Sequence, residues 1–248
     1  MTAIKSHTVR ISSSTDRLLS MGIETWTPRL NPPSGPPLCA DAAQSAPDEV
    51  TPAAAGDVPQ CGNWNDLEQQ VRTCTRCALH ETRTQVVFGV GNRNASWLFI
   101  GEAPGEQEDL QGEPFVGRAG QLLNEMIKAL GLAREDVYIA NVLKCRPPQN
   151  RDPSPTEAAA CESYLQSQVA LIKPDIIIAV GRIAAQNLLK TTTPIGKLRG
   201  VVHDYQAIPL VVTYHPAYLL RSQTEKRRAW EDLKLARYTL IARAHVRV

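Results

Sequence analysis

The segment from Trp97 to Met126, WLFIGEAPGEQEDLQGEPFVGRAGQLLNEM, holds the densest set of chemically useful residues in the chain. An apolar run, Trp97 to Ile100, passes into a loop. That loop carries Gly101, Pro104 and Gly105, the acids Glu102, Glu106, Glu108 and Asp109, and one aromatic, Phe115. A Gly117-Arg118-Ala119-Gly120 step then opens a helical pattern. Loops at the carboxyl end of a strand bind ligands far more often than they merely connect elements.

Four cysteines form the second chemical pattern. Cys74 and Cys77 make a C-x2-C pair; after 67 intervening residues Cys145 and Cys161 make a C-x15-C pair. A CxxC turn can present two thiolates to one metal centre. The second pair comes from a loop after a strand and from inside the next helix, so the fold must bring them to the first. Four thiolates suit tetrahedral zinc or a [4Fe–4S] cluster, and the spacing alone leaves both open. Disulfides are disfavoured in a reducing compartment. Cys39 and Cys61 fall in an atypical N-terminal segment and are read as incidental.

The elements that must position these groups follow from pattern. Gln121 to Leu130 reads as a helix, with Leu122, Leu123, Met126, Ile127 and Leu130 on one face and Gly131 ending it. Val137 to Leu143 reads as an apolar strand that carries an oddly placed polar residue, Asn141. Ser154-Pro155-Thr156-Glu157 is a helix start: Ser154 can cap, Pro155 suits the first helical position, and Glu157 completes a capping box. Asp175 to Val180 and Leu210 to Thr213 read as buried strands, the latter running into Tyr214-His215-Pro216. A last helix covers about Glu225 to Ala242. Continuously apolar strands alternating with helices imply a parallel sheet covered on both faces.

Composition sets bounds. Eight of the 18 prolines fall in residues 1–62. Residues 1–60 are therefore expected to be a disordered or loosely attached Pro/Ala/Ser-rich extension, and 61–248 a single domain. The whole chain carries a net charge of +2. Residues 63–248 carry 23 basic and 19 acidic side chains, an excess too small to name a partner without local clustering. No run of 18 apolar residues occurs, so no membrane span is expected, and a cytoplasmic monomer is the default.

Taken together, GEAPG (101–105), PFVGRAG (114–120), NVLKCRPP (141–148), NRDPSPTE (150–157), VGR (180–182), HPAYLLR (215–221) and the four cysteines resemble the family-4, iron–sulfur uracil-DNA glycosylases over roughly residues 64–240. The resemblance implies a three-layer α/β sandwich with a central four-stranded, mostly parallel sheet flanked by helices. It also implies a [4Fe–4S] cluster on Cys74, Cys77, Cys145 and Cys161, bracing the loops beside the DNA path. Uracil-containing DNA would be the partner. The activity implied is extrusion of uracil and hydrolysis of its N-glycosidic bond in base excision repair.

Within that reading Phe115 is the stacking platform. Asn141 reads the base edge, donating to O4 and accepting from N3–H. His215 stabilises charge that builds on O2. Better-known uracil glycosylases place an Asp where this chain has Ala103, so Glu102 becomes the water-positioning carboxylate, and the Glu102–Ala103 backbone adds N–H donors. Glu108 and Asn150 shape the loop around the base. Arg118 and Gly120, and again Gly181 and Arg182, are expected at phosphates near helix N-termini. Leu219 or Leu220 would be a wedge, with Arg221 on the backbone.

Three rival classes fit less well. A dinucleotide-binding enzyme would need more than GVGNRN (89–94), which lacks the GxGxxG spacing. A metal-bearing DNA-binding module without catalysis would not need Phe115, Asn141 and His215 to converge. A relative that links covalently to uracil-containing DNA carries an inserted loop with a reactive His, and 146–155 contains no His.

Overall fold

The computed structural model describes residues 62–246. The expected extension, 1–60, lies outside the described residues, as do Cys39 and Cys61. A six-stranded sheet forms the centre, in the order β1-β3-β2-β4-β6-β5. The strands are β1 (Val90–Gly91), β2 (Trp97–Gly101), β3 (Tyr138–Asn141), β4 (Ile176–Val180), β5 (Val202–Tyr205) and β6 (Ile208–Thr213). The four inner strands are parallel; β1 and β5 run antiparallel at the two edges. The sheet is thus larger than the expected four strands and mixed in direction. The expected core of parallel strands is its middle.

The apolar runs follow from burial on two sides. Along β2, Leu98 and Ile100 enter one core while Trp97 and Phe99 enter the other. β4 divides likewise, with Ile177 and Ala179 against Ile176, Ile178 and Val180. Strand side chains alternate faces, so two covered faces demand an unbroken apolar run. The first face is covered by α5 (Pro155–Ile172) and α6 (Arg182–Leu189). The second is covered by α4 (Arg118–Ala129), α8 (Pro216–Arg221) and α9 (Lys226–Val246). Four further helices are present among the described residues: α1 (Trp64–Arg72), α2 (Leu79–Thr82), α3 (Glu106–Gln111) and, before the edge hairpin, α7 (Ile195–Leu198).

Helix ends obey local chemistry. Ser154 Oγ accepts from the Glu157 amide at 3.2 Å, and Glu157 Oε2 accepts from the Ser154 amide at 2.8 Å. Arg151 clamps the same carboxylate through two donors, at 2.6 and 2.8 Å. That paired hydrogen bond, more than any other influence, holds the Glu157 carboxyl down at about 2. Glu157 therefore fixes both the start of α5 and the loop before it.

The connections put ligand-facing loops at one end. From β2 the chain moves to β3 on one side, then crosses back to β4 on the other. Such a reversal leaves a crevice at the carboxyl ends of the strands. The segments that open there are Glu102 onward, Val142 onward, Gly181 onward and Tyr214 onward. Among the described residues no helix is long and apolar enough to cross a membrane.

Candidate active site

A pocket of about 470 Å³ opens in this crevice. Glu102, Ala103, Pro104, Gly105, Glu108 and Phe115 line it from the loop after β2, Asn141 from β3, and Pro147, Asn150, Arg151 and Asp152 from the loop before α5. Ala119, His215, Ala217 and Arg221 complete the wall. Segments far apart in sequence meet here because each follows the carboxyl end of a neighbouring strand.

The floor is set by register. Gly101 pairs with Asn141 across β2 and β3. A Cβ on Gly101 would collide with Asn141 Oδ1 and come within 2.6 Å of Phe115 Cζ. Only glycine leaves both side chains in place. Asn141 is 2% exposed, and its Oδ1 has no hydrogen-bond partner among the described residues. A buried polar atom without a partner is costly unless a ligand supplies one.

Phe115 is buried and adopts a left-handed backbone, φ +55°. Such a conformation is uncommon for a bulky residue and must be held by its surroundings. The brace is Glu108. Its carboxylate accepts from the amides of Gly105 at 3.2 Å, Val116 at 3.0 Å and Gly117 at 3.2 Å. Glu108 thus closes the loop around Phe115, and its oxygens face backbone donors. Gly120, read as a phosphate contact, is buried instead: a Cβ there would strike the Phe115 carbonyl. Its absence lets α4 start against the Phe115 backbone. Arg118, at the first turn of α4, is exposed beside it. Asp109 turns away from the pocket and accepts from the Thr84 amide at 3.0 Å through both oxygens.

His215 faces Phe115, with ring centroids 5.6 Å apart. It caps α8: the Ala217 amide donates to His215 Nδ1 at 3.2 Å. Nδ1 is therefore an acceptor, and the neutral ring carries its proton on Nε2. Burial, aided by Arg221 and opposed by Glu108, lowers the His215 pKa to about 4. The ring is a neutral donor at ordinary pH. Gly181 stands behind it with φ +100°, where a Cβ would come within 3.0 Å of His215 Cβ. Gly181 therefore serves as the cap residue of α6 and as the space that His215 needs.

Glu102 lines the same pocket. Burial raises its pKa to about 7; the charge of Asp152 adds to the rise and that of Arg182 opposes it. Arg182 pairs with Asp152 at 2.6 Å. The sequence reading named Glu102 and Arg182 and missed Asp152, because nothing local marks a carboxylate as lying near another from a different loop. Asn150 sits at the rim with φ +54°, its Oδ1 accepting from Arg146 Nε at 2.8 Å. Arg221 reaches the wall from α8.

The wedge assignment is corrected at one of its two alternatives, Leu219, while Leu220 is half-buried. Leu219, read as a wedge into DNA, is 1% exposed and packs in the core with Leu123, Ile127 and Val180. Helical periodicity turns it inward. Its neighbour Tyr218 is the exposed one, at 38%.

The four cysteines Cys74, Cys77, Cys145 and Cys161 line one small cavity, together with Arg83, Lys144 and Tyr164. Arg83 Nη1 donates to Cys145 Sγ at 3.1 Å. Burial pushes the Cys161 thiol up to about 12. Among the described residues no three His, Cys, Asp or Glu side chains are grouped closely enough to hold a metal ion. The cysteines surround a space rather than closing on a single point. Ala103 packs against the same cluster as Cys77, Cys145 and Cys161, so the cavity and the pocket share a wall.

Fold and pocket define an α/β protein with a site of mixed polar and apolar lining at the carboxyl ends of parallel strands. The family model for the uracil DNA glycosylase superfamily matches residues 88–234. A type-4 uracil-DNA glycosylase of Archaeoglobus fulgidus is 48% identical over 164 residues, covering 63% of this chain and 82% of that protein. The one from Thermotoga maritima is 46% identical over 175 residues, covering 69% and 91%. A type-5 uracil-DNA glycosylase of Pyrobaculum aerophilum is more distant, 31% identical over 147 residues, covering 52% and 64%. The chain belongs to the uracil DNA glycosylase superfamily, on its type-4 branch.

Proposed function

We propose that this chain extrudes uracil from DNA and hydrolyses its N-glycosidic bond, releasing free uracil and leaving an abasic site in base excision repair. The observation that carries the reading is Asn141 Oδ1, buried without a partner among the described residues, in the pocket that Phe115 and His215 also line. Uracil supplies what this atom lacks: its N3–H donates to Oδ1, and its O4 accepts from the Asn141 amide. Cytosine offers the opposite pattern and would leave the buried amide unpaired. Phe115 stacks on the extruded ring.

Cleavage breaks the bond between C1′ and N1, and the bonding pair leaves with uracil. His215 Nε2–H donates to O2, where the charge gathers, and the Ala103 amide adds a second donor. The oxygen of a water held by Glu102 bonds to C1′, and its proton passes to the carboxylate. A cationic sugar is a strong electrophile, so the water needs positioning more than activation. Arg118, Arg182 and Arg221 hold phosphates. Glu108 and Asn150 fix the walls around the base.

The same reading gives Cys74, Cys77, Cys145 and Cys161 a [4Fe–4S] cluster. Four cysteines around one cavity, with Arg83 donating to a sulfur, suit a polynuclear anionic group. When bound it braces the loops and takes no part in hydrolysis. Residues 61–248 act as the catalytic domain, with 1–60 as an extension, in a cytoplasmic monomer.

The test is an oligonucleotide with one labelled uracil. Free uracil by mass spectrometry, with a strand break that appears only after alkali, supports the reading. A slow-migrating protein–DNA adduct, or intact strand with no released base, overturns it.

A further inference from the structure

Burial of Leu219 leaves Tyr218 as the exposed aromatic of α8, beside the exposed Arg221 and the half-buried Leu220. Its ring lies 5.0 Å from that of Tyr214, tilted by 41°. Tyr214 is held from behind, since the Arg199 guanidinium stands 4.1 Å over its ring. Arg199 in turn is fixed by Asp232 at 2.8 Å, in a pair only 10% and 2% exposed. The aromatic pair is therefore mounted on a rigid support rather than free to swing.

The two tyrosines border a second concavity of about 450 Å³. It shares Glu102, His215, Ala217 and Arg221 with the first pocket. His215 is thus a partition. On one side lies the pocket with Phe115 and Asn141. On the other lie the two tyrosines and Arg182, which is paired with Asp152, while Arg221 borders both. A lone exposed tyrosine on a helix usually means only a solvated face. This one forms the wall of a concavity continuous with the site and flanked by charges that suit a phosphate.

We infer that this second concavity is a subsite for the nucleotide next to the extruded uridine in the same strand, with its base on Tyr218 and its phosphate between Arg182 and Arg221. The inference rests on the uracil-excision reading and deepens it. Extruding one nucleotide strips its neighbour of a stacking partner, and an aromatic ring on a fixed support replaces that partner. Stacking uses the π-face that every base has, so the subsite is tolerant of sequence. Charge at Arg182 and Arg221 acts on the phosphodiester and is equally blind to sequence.

The probe is a duplex carrying 2′-fluoro-2′-deoxyuridine, which resists cleavage, with fluorescent 2-aminopurine beside it. Bound wild-type protein should keep the 2-aminopurine stacked and its emission low. Tyr218→Ala should raise the emission severalfold at saturating protein and weaken binding roughly tenfold. Tyr218→Phe should behave as wild type, because the ring does the stacking. Equal emission and affinity for wild type and Tyr218→Ala would overturn the subsite while leaving uracil excision standing. Wild-type protein that excises no uracil from an ordinary oligonucleotide would overturn both.

Discussion

The buried Lys144 ammonium donates to the carbonyl oxygen of Asn141 at 2.8 Å. Its second acceptor is Gln168 Oε1 on α5, at 2.6 Å, and Gln168 Nε2 donates onward to the Phe88 carbonyl at 2.9 Å. Lys144 therefore ties the end of β3, where Asn141 sits, to the helix that carries Cys161. Replacing it by Met leaves two buried acceptors without donors. We predict that Lys144→Met destabilises the protein by roughly 2–4 kcal/mol. Thermal melting checks this: a drop of at least roughly 5 °C is expected, and an unchanged melting temperature would show the network to be dispensable.

Glu108 holds three amides of the loop that carries Phe115. Glu108→Ala removes the acceptor of all three amides at once. Excision should fall at least tenfold in kcat/KM, with a loss of roughly 2 kcal/mol in stability. Limited proteolysis between 105 and 117 gives an independent reading, and faster cutting than in wild type is the expected result.

Gly101→Ala tests the pocket floor. The added methyl displaces Asn141 Oδ1 and the Phe115 ring. Excision should drop roughly a hundredfold, the scale expected when reacting groups shift by about an ångström. Gly62→Ala is the control, since a Cβ there meets nothing within 4 Å. Equal loss in both variants would mean that the pocket floor is not the cause.

The pH dependence should come from Glu102 and not from His215. Glu102, raised to about 7, is the carboxylate proposed above to take the water proton, and it is ionised to do so only above that pH. The rate should therefore rise through about pH 7, and Glu102→Gln should flatten that limb. The linkage sign follows. A carboxyl raised in the fold binds more protons than in the unfolded chain between 4.5 and about 7, so its contribution to stability declines as pH rises through that window. His215, lowered to about 4, runs the other way: the unfolded chain takes up a proton below 6.5 that the folded chain refuses, so stability declines as pH falls from 6.5 towards 4. Proton NMR should find no titration of His215 between pH 5 and 8.

What was legible in the sequence was local or periodic. The runs of β2 and β4 and the Ser154–Glu157 start of α5 need only neighbours in the chain, and they were read correctly. Edge strand β5 was missed because its hairpin turns at Gln206 and Ala207, with φ of +53° and +64°, where no Asn-Gly or Gly-Gly marks the turn. Asp152 near Glu102, and the Lys144–Gln168 tie, are long-range relations with no local signature. Leu219 and Tyr218 show the limit most sharply. Both are large side chains on one short helix, and only packing decides which faces the core.

Cysteine replacement separates brace from chemistry. Cys161→Ser should remove the brown colour and the broad absorption near roughly 400 nm expected of a thiolate-bound cluster. It should also lower the melting temperature. Wild-type absorption that is flat in that region, with bound zinc by elemental analysis, would replace the cluster with a zinc site.

The most direct measurement is single-turnover excision by wild type and Asn141→Ala on matched oligonucleotides, one with uracil and one with thymine. Wild type should give an alkali-dependent break at uracil and none at thymine. Asn141→Ala should be slower by roughly a hundredfold or more, as expected when a buried base-reading contact is lost. Uracil excision at an undiminished rate by Asn141→Ala would contradict the account, because the unpartnered oxygen would then have no part in choosing the base.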